Sequence, residues 1–353
     1  MSRIWNSDTS YVYNDRNMKY IGNDRQRHTR IGIIVTNLGT PDAPEPGALR
    51  KYLKQFLSDP RIVELPRLLW WFILHGVILN IRPKRSAANY KKIWTERGSP
   101  LLVHTRDLAE GLQAELGRRF SKDLTVDFAM RYGSPSIDDV LQSQLNSGVT
   151  NLLVLPLYPQ YSCTTTGSTF DAVAADFSQR RTLPGLRFAG SYYRHPAFIL
   201  ALANKIRQHW QAHGRADKLI FSYHGEPRRY VDQGDPYQHE CEETTRLVAQ
   251  ALALEEQEFM TAYQSRFGRE EWLRPYLDET LKSVPQQGVK SIQIICPGFA
   301  VDCLETLDEI AMENRDTFMR SGGDRYEYIP CLNSDSEHIE ALAAVISDQL
   351  TGW

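Results

Sequence analysis

The sequence predicts an α/β protein made of two similar halves, each a four-stranded parallel sheet flanked by helices. Three observations predict it. Short apolar runs ending in Gly/Pro punctuation alternate with longer stretches of helical periodicity, the pattern of parallel strands joined by crossover helices. These runs fall into two sets of four, with matching kinds in matching order. The first members of the two sets also superpose without gaps, Ile33 to Pro41 on Leu219 to Pro227, which lays Gly39 on Gly225 and Pro41 on Pro227. A single match in strands this short carries little, but a repeated order of four argues for duplication. Two Rossmann-like domains are expected over 31–190 and 191–353, with a C-terminal helix that packs back on the first. The length of 353 residues suits two domains of roughly 150 residues each.

Residues 1–30 are polar, with Asn, Asp and Arg throughout and no apolar core, so they read as an extension rather than a secretory signal. The first strand, IGIIVTNLGTP from Ile31, follows. A greasy segment then runs from Leu65 to Leu79 (LPRLLWWFILHGVIL). It falls short of the ~20 apolar residues a spanning helix needs, and Pro66, Arg67 and His75 interrupt it. It is either a buried helix or an apolar lip over 65–84, on which Trp70 and Trp71 would touch a hydrophobic ligand or a membrane surface. The first set is completed by TVDFAMRYGSP from Thr125, NLLVLPLYP from Asn151 and LRFAGSYY from Leu186. The second set is KLIFSYHGEP from Lys218, EFMTAYQSRFG from Glu258, SIQIICPGFAVDC from Ser291 and YEYIPCLN from Tyr326.

Composition excludes several classes. Hydrophobic residues at 42% and charged residues at 24% are ordinary for a globular chain. A formal charge of -2 gives no large positive field, and no basic run alternates with aromatics, so nucleic acid is not an expected partner. Five cysteines without paired spacing suit a reducing, cytoplasmic setting. No G-x-G-x-x-G follows the first strand and no G-x-x-x-x-G-K-[ST] occurs, so nucleotide binding has no motif behind it.

In doubly wound sheets ligands bind beyond the carboxyl ends of the strands. Those ends carry Asn37, Leu38 and Gly39, then Arg131 and Tyr132, then the loop Tyr158 to Gly167 (YPQYSCTTTG). From the second set come Ser222, Tyr223 and His224, and later Asp302 and Glu305. His224 precedes a glycine at a strand end, where an imidazole faces the crevice and can hold a proton or a divalent metal. A hydrogen-bonded structural histidine is the bland alternative. Glu305 opens a helix on which Glu309, Glu313 and Asp316 follow at spacings of four, four and three, all on one face. Like charges so spaced weaken a helix. The stripe is either a solvated acidic face or a path of hard oxygen ligands leading a hydrated cation to Glu305. Without C-x-x-C or H-E-x-x-H, a closed zinc site is not supported, and any metal is held loosely.

From about Ile31 to the end the chain resembles the ferrochelatases. SYHGEP and VDCLETL look like the family's two signature sites, with His224 and Glu305 as the active-site pair. NLGTP at Asn37, FLSDPRIVELP at Phe56, GSPL at Gly98, RYGSP at Arg131, YPQYSCTTTGS at Tyr158, GDPY at Gly234 and QSRFG at Gln264 support the match. The resemblance implies two Rossmann-like domains around a porphyrin cleft and insertion of Fe²⁺, the substrate, into protoporphyrin IX to form protohaem. It implies His224 and Glu305 as catalytic and metal-contacting residues, with Glu309, Glu313 and Asp316 as a relay. It also implies a porphyrin site of Leu38, Arg131, Tyr132, Tyr158, Tyr161, Ser162 and Thr165, with Trp70 and Trp71 at its mouth. The segment from Leu65 to Lys84 resembles Gram-negative bacterial members, which favours protoporphyrin IX over coproporphyrin III. Peripheral membrane contact and a partner enzyme of the haem pathway are further expectations. Leu38 stands where some relatives carry Met or a ring-ligating Tyr, and Cys303 where others carry a histidine. Cys163 resembles one ligand of the [2Fe-2S] cluster of some relatives, but the cysteine-rich tail is missing, so no cluster or other resident cofactor is expected. A cobalt or sirohaem chelatase of the same architecture would want a second histidine beside His224. A haem or metal carrier would use the same cleft without turnover.

Overall fold

The computed structural model describes residues 29–121 and 123–353; the extension expected over 1–30 lies outside them apart from its last two residues. Eight strands form two sheets. β1 (Ile31–Gly39), β2 (Leu124–Tyr132), β3 (Asn151–Pro156) and β4 (Gly185–Phe188) line up in the order β2-β1-β3-β4. β5 (Lys218–His224), β6 (Phe259–Gln264), β7 (Ser291–Ile295) and β8 (Arg325–Ile329) line up as β6-β5-β7-β8. All pairings are parallel. The two orders are the same four-strand topology, so the sequential duplication is realised in space. Each expected strand starts within one residue of its apolar run and stops before the run does, most of all in the seventh, where the strand ends at Ile295 and the run goes on to Cys303.

The central strands explain why their sequences are almost continuously apolar. Helices cover both faces of a parallel sheet, so every side chain of such a strand is buried. In β1 only Leu38 escapes full burial, and in β5 only the terminal Lys218 and His224 do. The superposed glycines end these strands for one shared reason. A Cβ on Gly39, at φ +107°, would stand 1.7 Å from the Tyr132 carbonyl oxygen, and one on Gly225 would stand 2.8 Å from the Gln264 carbonyl oxygen. Each central strand thus crosses close to the end of its neighbour, and only glycine allows it. The likeness extends to the loops leaving the second strands, where the N–H groups of Met130 and Tyr263 donate to the carbonyls of Pro135 and Pro275.

One apolar core runs through both halves, joining Val35, Leu112 and Leu155 to Phe221, Tyr223 and Leu342. The helix Ser336–Gln349 lies against the helix Pro100–Arg119, where a Cβ on Gly111 would meet the Ile339 side chain at 2.4 Å. The Arg187 guanidinium closes this seam over the Trp353 ring.

Between β1 and β2 the chain makes a helix Pro46–Leu57 and then a long helical run from Arg67 to Ile93. Its middle turn, Leu74–Ile78, is π-helical. The buried side chains Trp70, Leu74, Leu79, Pro83 and Ala87 step by four, five, four and four. The step of five falls on the π turn, whose wider winding keeps the apolar stripe facing the protein. No described helix is long and apolar enough to cross a membrane.

Gly39→Ala should destabilise the protein by about 1–3 kcal/mol from backbone strain alone, with the clash on Tyr132 adding to it. Gly47→Ala, at a helical position with open space around it, should be neutral or mildly stabilising. Urea unfolding followed by circular dichroism measures both.

Candidate active site

β5 delivers His224 to the carboxyl end of the second sheet, in register with Gln264 of β6. Its Nδ1 lies 2.7 Å from the Gly225 carbonyl oxygen. A carbonyl only accepts, so Nδ1 carries the proton and donates, and Nε2 of the neutral ring keeps its lone pair. Burial lowers the imidazole pKa below its ordinary 6.5; the Glu305 carboxylate and the Gly225 carbonyl oppose this without cancelling it. At pH 7 the ring is neutral and able to take a metal or a proton at Nε2. Trp272, which sequence reasoning missed, sits beside it with ring centroids 6.5 Å apart. Gly225 makes room, since a Cβ there would come within 3.1 Å of the indole.

Glu305 opens the helical segment Glu305–Asn314, which is π-helical rather than the expected ordinary helix. Its start is held by Asp302, a buried carboxylate that accepts from Thr306 Oγ1 (2.9 Å), Tyr328 Oη (2.5 Å) and Asn333 Nδ2 (2.7 Å). Asn333 Oδ1 accepts the Asp302 N–H in return at 2.8 Å. This knot fastens the first turn to β8 and the loop after it. The Glu305 carboxylate acts electrostatically on His224 from the second half and on the phenols of Tyr52 and Tyr90 from the first. The Cys303 thiol donates to it. Burial first, and then Glu305, keeps that thiol protonated well above the ordinary range. Cys303 is therefore a neutral donor to the carboxylate.

The acidic stripe grades from inside to outside. Glu305 and Glu309 are half-buried, Glu313 and Asp316 exposed. The i→i+5 winding still leaves residues four apart on one side. Glu309 Oε1 and Oε2 accept from the Ser265 N–H (2.9 Å) and hydroxyl (2.5 Å). Burial pushes its carboxyl up to about 7, with Glu305 and Glu313 adding to the rise and Ser265 opposing it. Among the described residues no three His, Cys, Asp or Glu side chains converge into a metal-holding cage. The stripe is a row, not a cluster.

The expected ring-binding residues divide. Arg131 spans Asp59, with Nη2 to Oδ2 at 2.6 Å, and Ser168. Tyr132 is 1% exposed and donates its hydroxyl to Asp59 at 2.8 Å, so it is a buttress of the wall and not a free ring contact. Asp59, missed in the sequence although it stands inside FLSDPRIVELP, is the acceptor that collects Arg131, Tyr132 and Ser168. Those hydrogen bonds, the Arg61 N–H and the Arg131 charge outweigh its burial and hold its pKa below the ordinary value. Tyr158 is half-buried, and its hydroxyl is enclosed without a protein partner, near Tyr132, Arg131 and Cys303. Leu38 is half-buried against the lip half together with Leu304. Tyr161 and Thr165 are half-buried on the loop, which Glu240 anchors by accepting the Tyr161 N–H at 2.7 Å.

Ser162 and Trp70 depart from expectation. Ser162 is fully buried and donates to Glu226, two residues past His224, so it braces the loop against β5 and does not face a ligand. Burial and the charge of Asp235 raise Glu226 to about 8. Trp70 is 8% exposed and donates its indole N–H to the Leu57 carbonyl at 2.6 Å, whereas Trp71 is 53% exposed. The two tryptophans thus face different ways, since successive helical residues point about 100° apart. The segment is buried on one side and exposed on the other: Trp70 and Leu74 face the core, while Leu68, Trp71, Phe72, Val77 and Ile81 face outward.

Comparisons with known proteins identify the fold and the family. The fold is that of two-sheet chelatases: SirB from Bacillus subtilis with Fe³⁺ matches at a TM-score of 0.56 and 8% identity, covering 92% of this chain and 96% of that one. CbiX, described as the terminal enzyme for biosynthesis of siroheme in denitrifying bacteria, matches at 0.50 and 11% identity, over 91% of this chain and all of that one. The ferrochelatase family model matches residues 30–350. Ferrochelatases of Teredinibacter turnerae and Idiomarina loihiensis are 59% and 58% identical, over 93% and 95% of this chain and 89% and 93% of theirs. Ferrochelatase 1 of Shewanella oneidensis is 49% identical over 92% of this chain and 97% of its own. This is an enzyme of the metal-chelatase, lyase class. Within that class the chain belongs to the ferrochelatase family.

The raised Glu309 pKa has a defined consequence for stability. The folded protein holds this proton up to about pH 7 while the unfolded chain releases it near 4.5, so Glu309 costs stability as pH rises through that window. Glu309→Gln should therefore gain on the wild type between pH 4.5 and pH 8, by at most about 3 kcal/mol. Thermal melts of both proteins at the two pH values read the difference.

Proposed function

We propose that this chain inserts ferrous iron into protoporphyrin IX to give protohaem, and that His224 and Glu305 perform the step. One observation carries the assignment of the pair. A neutral imidazole with its Nε2 lone pair free stands at a strand end, and a carboxylate within electrostatic reach comes from a different element.

Insertion exchanges two pyrrole protons for one Fe²⁺. A flat ring hides its nitrogen lone pairs in its own plane, so a pocket that buckles the macrocycle exposes them, with binding to the rest of the ring offsetting the strain. His224, neutral and buried, and Glu305 share ion contact and proton removal, Nε2 and the carboxylate each able to take one of the two pyrrole protons. Neither is part of a cage, which suits an ion that must leave the protein for the ring. The row Glu305, Glu309, Glu313 and Asp316 leads from solvent toward the pair, and its hard oxygens suit a hydrated divalent cation. Arg131, Tyr158, Tyr161 and Thr165 line the wall on which the ring and its propionates would rest, with Arg131 held by Asp59 for charge-assisted contact. No [2Fe-2S] cluster belongs to this reading.

The protein works in the cytoplasm, and its lip rests on the membrane surface. Leu68, Trp71, Phe72, Val77 and Ile81 expose apolar surface next to the exposed cations Arg67, Arg82, Lys84 and Arg85, a composition suited to an anionic interface.

Anaerobic insertion of Fe²⁺ into protoporphyrin IX, followed by absorbance, tests the chemistry. Wild type should metallate this ring faster than coproporphyrin III, and His224→Ala and Glu305→Gln should each lose roughly 100-fold or more. Tight haem binding with no metallation of either ring would make the protein a carrier. Co-sedimentation with anionic vesicles tests the lip: wild type should pellet, and Trp71→Ser/Phe72→Ser should stay in the supernatant.

A further inference from the structure

The helix Leu79–Ile93 is roughly 20 Å long and joins the exposed lip at one end to the helix that carries Glu305 at the other. At the lip end, Pro83 has no N–H to give to the Leu79 carbonyl four residues back. Arg50 Nη1 supplies the missing donor and also reaches Asn80 Oδ1 at 2.9 Å, so the break is clamped. At the far end, Lys92 Nζ lies 2.8 Å from Asp308 Oδ1, and the Asp308 side chain is only 4% exposed. Tyr90 of the same helix stands beside Glu305, and Leu304 and Leu307 pack into the apolar cluster of the lip half. An apolar seam and one ion pair therefore join the helix that bears the lip to the helix that bears Glu305.

The two contacts differ in what they can do. Apolar side chains in a seam tolerate small slips, because burial is non-directional. A carboxylate buried against one ammonium does not, since any slip leaves a charge desolvated and unpaired. For stability alone, an apolar pair of similar volume would serve as well or better. What Lys92 and Asp308 add is register, three residues after Glu305.

We propose that Lys92, acting through Asp308, is a positioning residue for metal insertion: it sets the Glu305 carboxylate in the cleft and makes that setting depend on where the lip stands. The inference rests on Glu305 acting at the ring as read above. Closing the lip on a porphyrin would then move Glu305 with it, so that the carboxylate reaches its working place only over a bound ring.

The test measures steady-state insertion of Zn²⁺ or Fe²⁺ into protoporphyrin IX for Lys92→Met, Lys92→Arg and the double variant Lys92→Met/Asp308→Leu, with thermal melts of each and Glu305→Gln in the same assay. Lys92→Met should lose about ten- to a hundredfold in kcat with the porphyrin KM unchanged, the scale of loss that misplacing a reacting group brings. Lys92→Arg should restore most of kcat. The double variant removes the stranded charge, so it should recover the melting temperature but not kcat. If kcat returns together with the melting temperature, or Lys92→Met turns over like wild type, the positioning role is overturned. If Glu305→Gln itself keeps full rate, the catalytic reading of Glu305 fails, whatever Lys92 does.

Discussion

The site depends first on one buried carboxylate, Asp302. Its acceptance of Thr306, Tyr328 and Asn333 ties the opening turn of the Glu305 helix to the last strand of the second sheet. A carboxylate taken out of water is costly unless its lone pairs are filled, and here they are filled by its own helix turn and by β8 with the loop after it. The requirement to satisfy Asp302 therefore fixes where Glu305 begins. Asp59 does the corresponding work in the first half, gathering Arg131, Tyr132 and Ser168. The walls of the cleft are built around these two knots.

The electrostatics between them are set by burial more than by charge pairing. Burial keeps His224 neutral, Cys303 a thiol and Glu309 protonated up to about pH 7. In the proposed step this neutral ring and carboxylate would take the two protons that the porphyrin gives up. The acidic residues beside this pair form a row and, among the described residues, no cage. Of the Lys92–Asp308 pair only the carboxylate is buried, the Lys92 side chain being 45% exposed, so the sensitivity to place that the proposal uses lies on the Asp308 side.

Two wide turns adapt ordinary helical sequences to these tasks. In the lip the π turn Leu74–Ile78 resets a buried stripe that would otherwise rotate to solvent, and in the Glu305 helix the same winding carries the acidic row from the cleft to the surface. Leu307 of the second packs into the same apolar cluster that holds Leu74 of the first.

The sequence by itself determined the eight described strands, their parallel sense, the duplication, the strand-end position of His224 and the helix start at Glu305. These follow from local signals: apolar runs bounded by glycine and proline, and glycines placed where a backbone must pass within van der Waals reach of its neighbour. Only the tertiary structure decided what each polar side chain faces. Tyr132, Ser162 and Trp70 stand among residues that look ligand-facing, yet each gives its donor to the protein, to Asp59, Glu226 and the Leu57 carbonyl. Asp59, Glu226, Trp272 and Lys92 were not legible, because the partners that give them their roles lie between 48 and 216 residues away. Periodicity encodes which side of an element is apolar. Hydrogen bonding between distant segments is settled only when the segments meet.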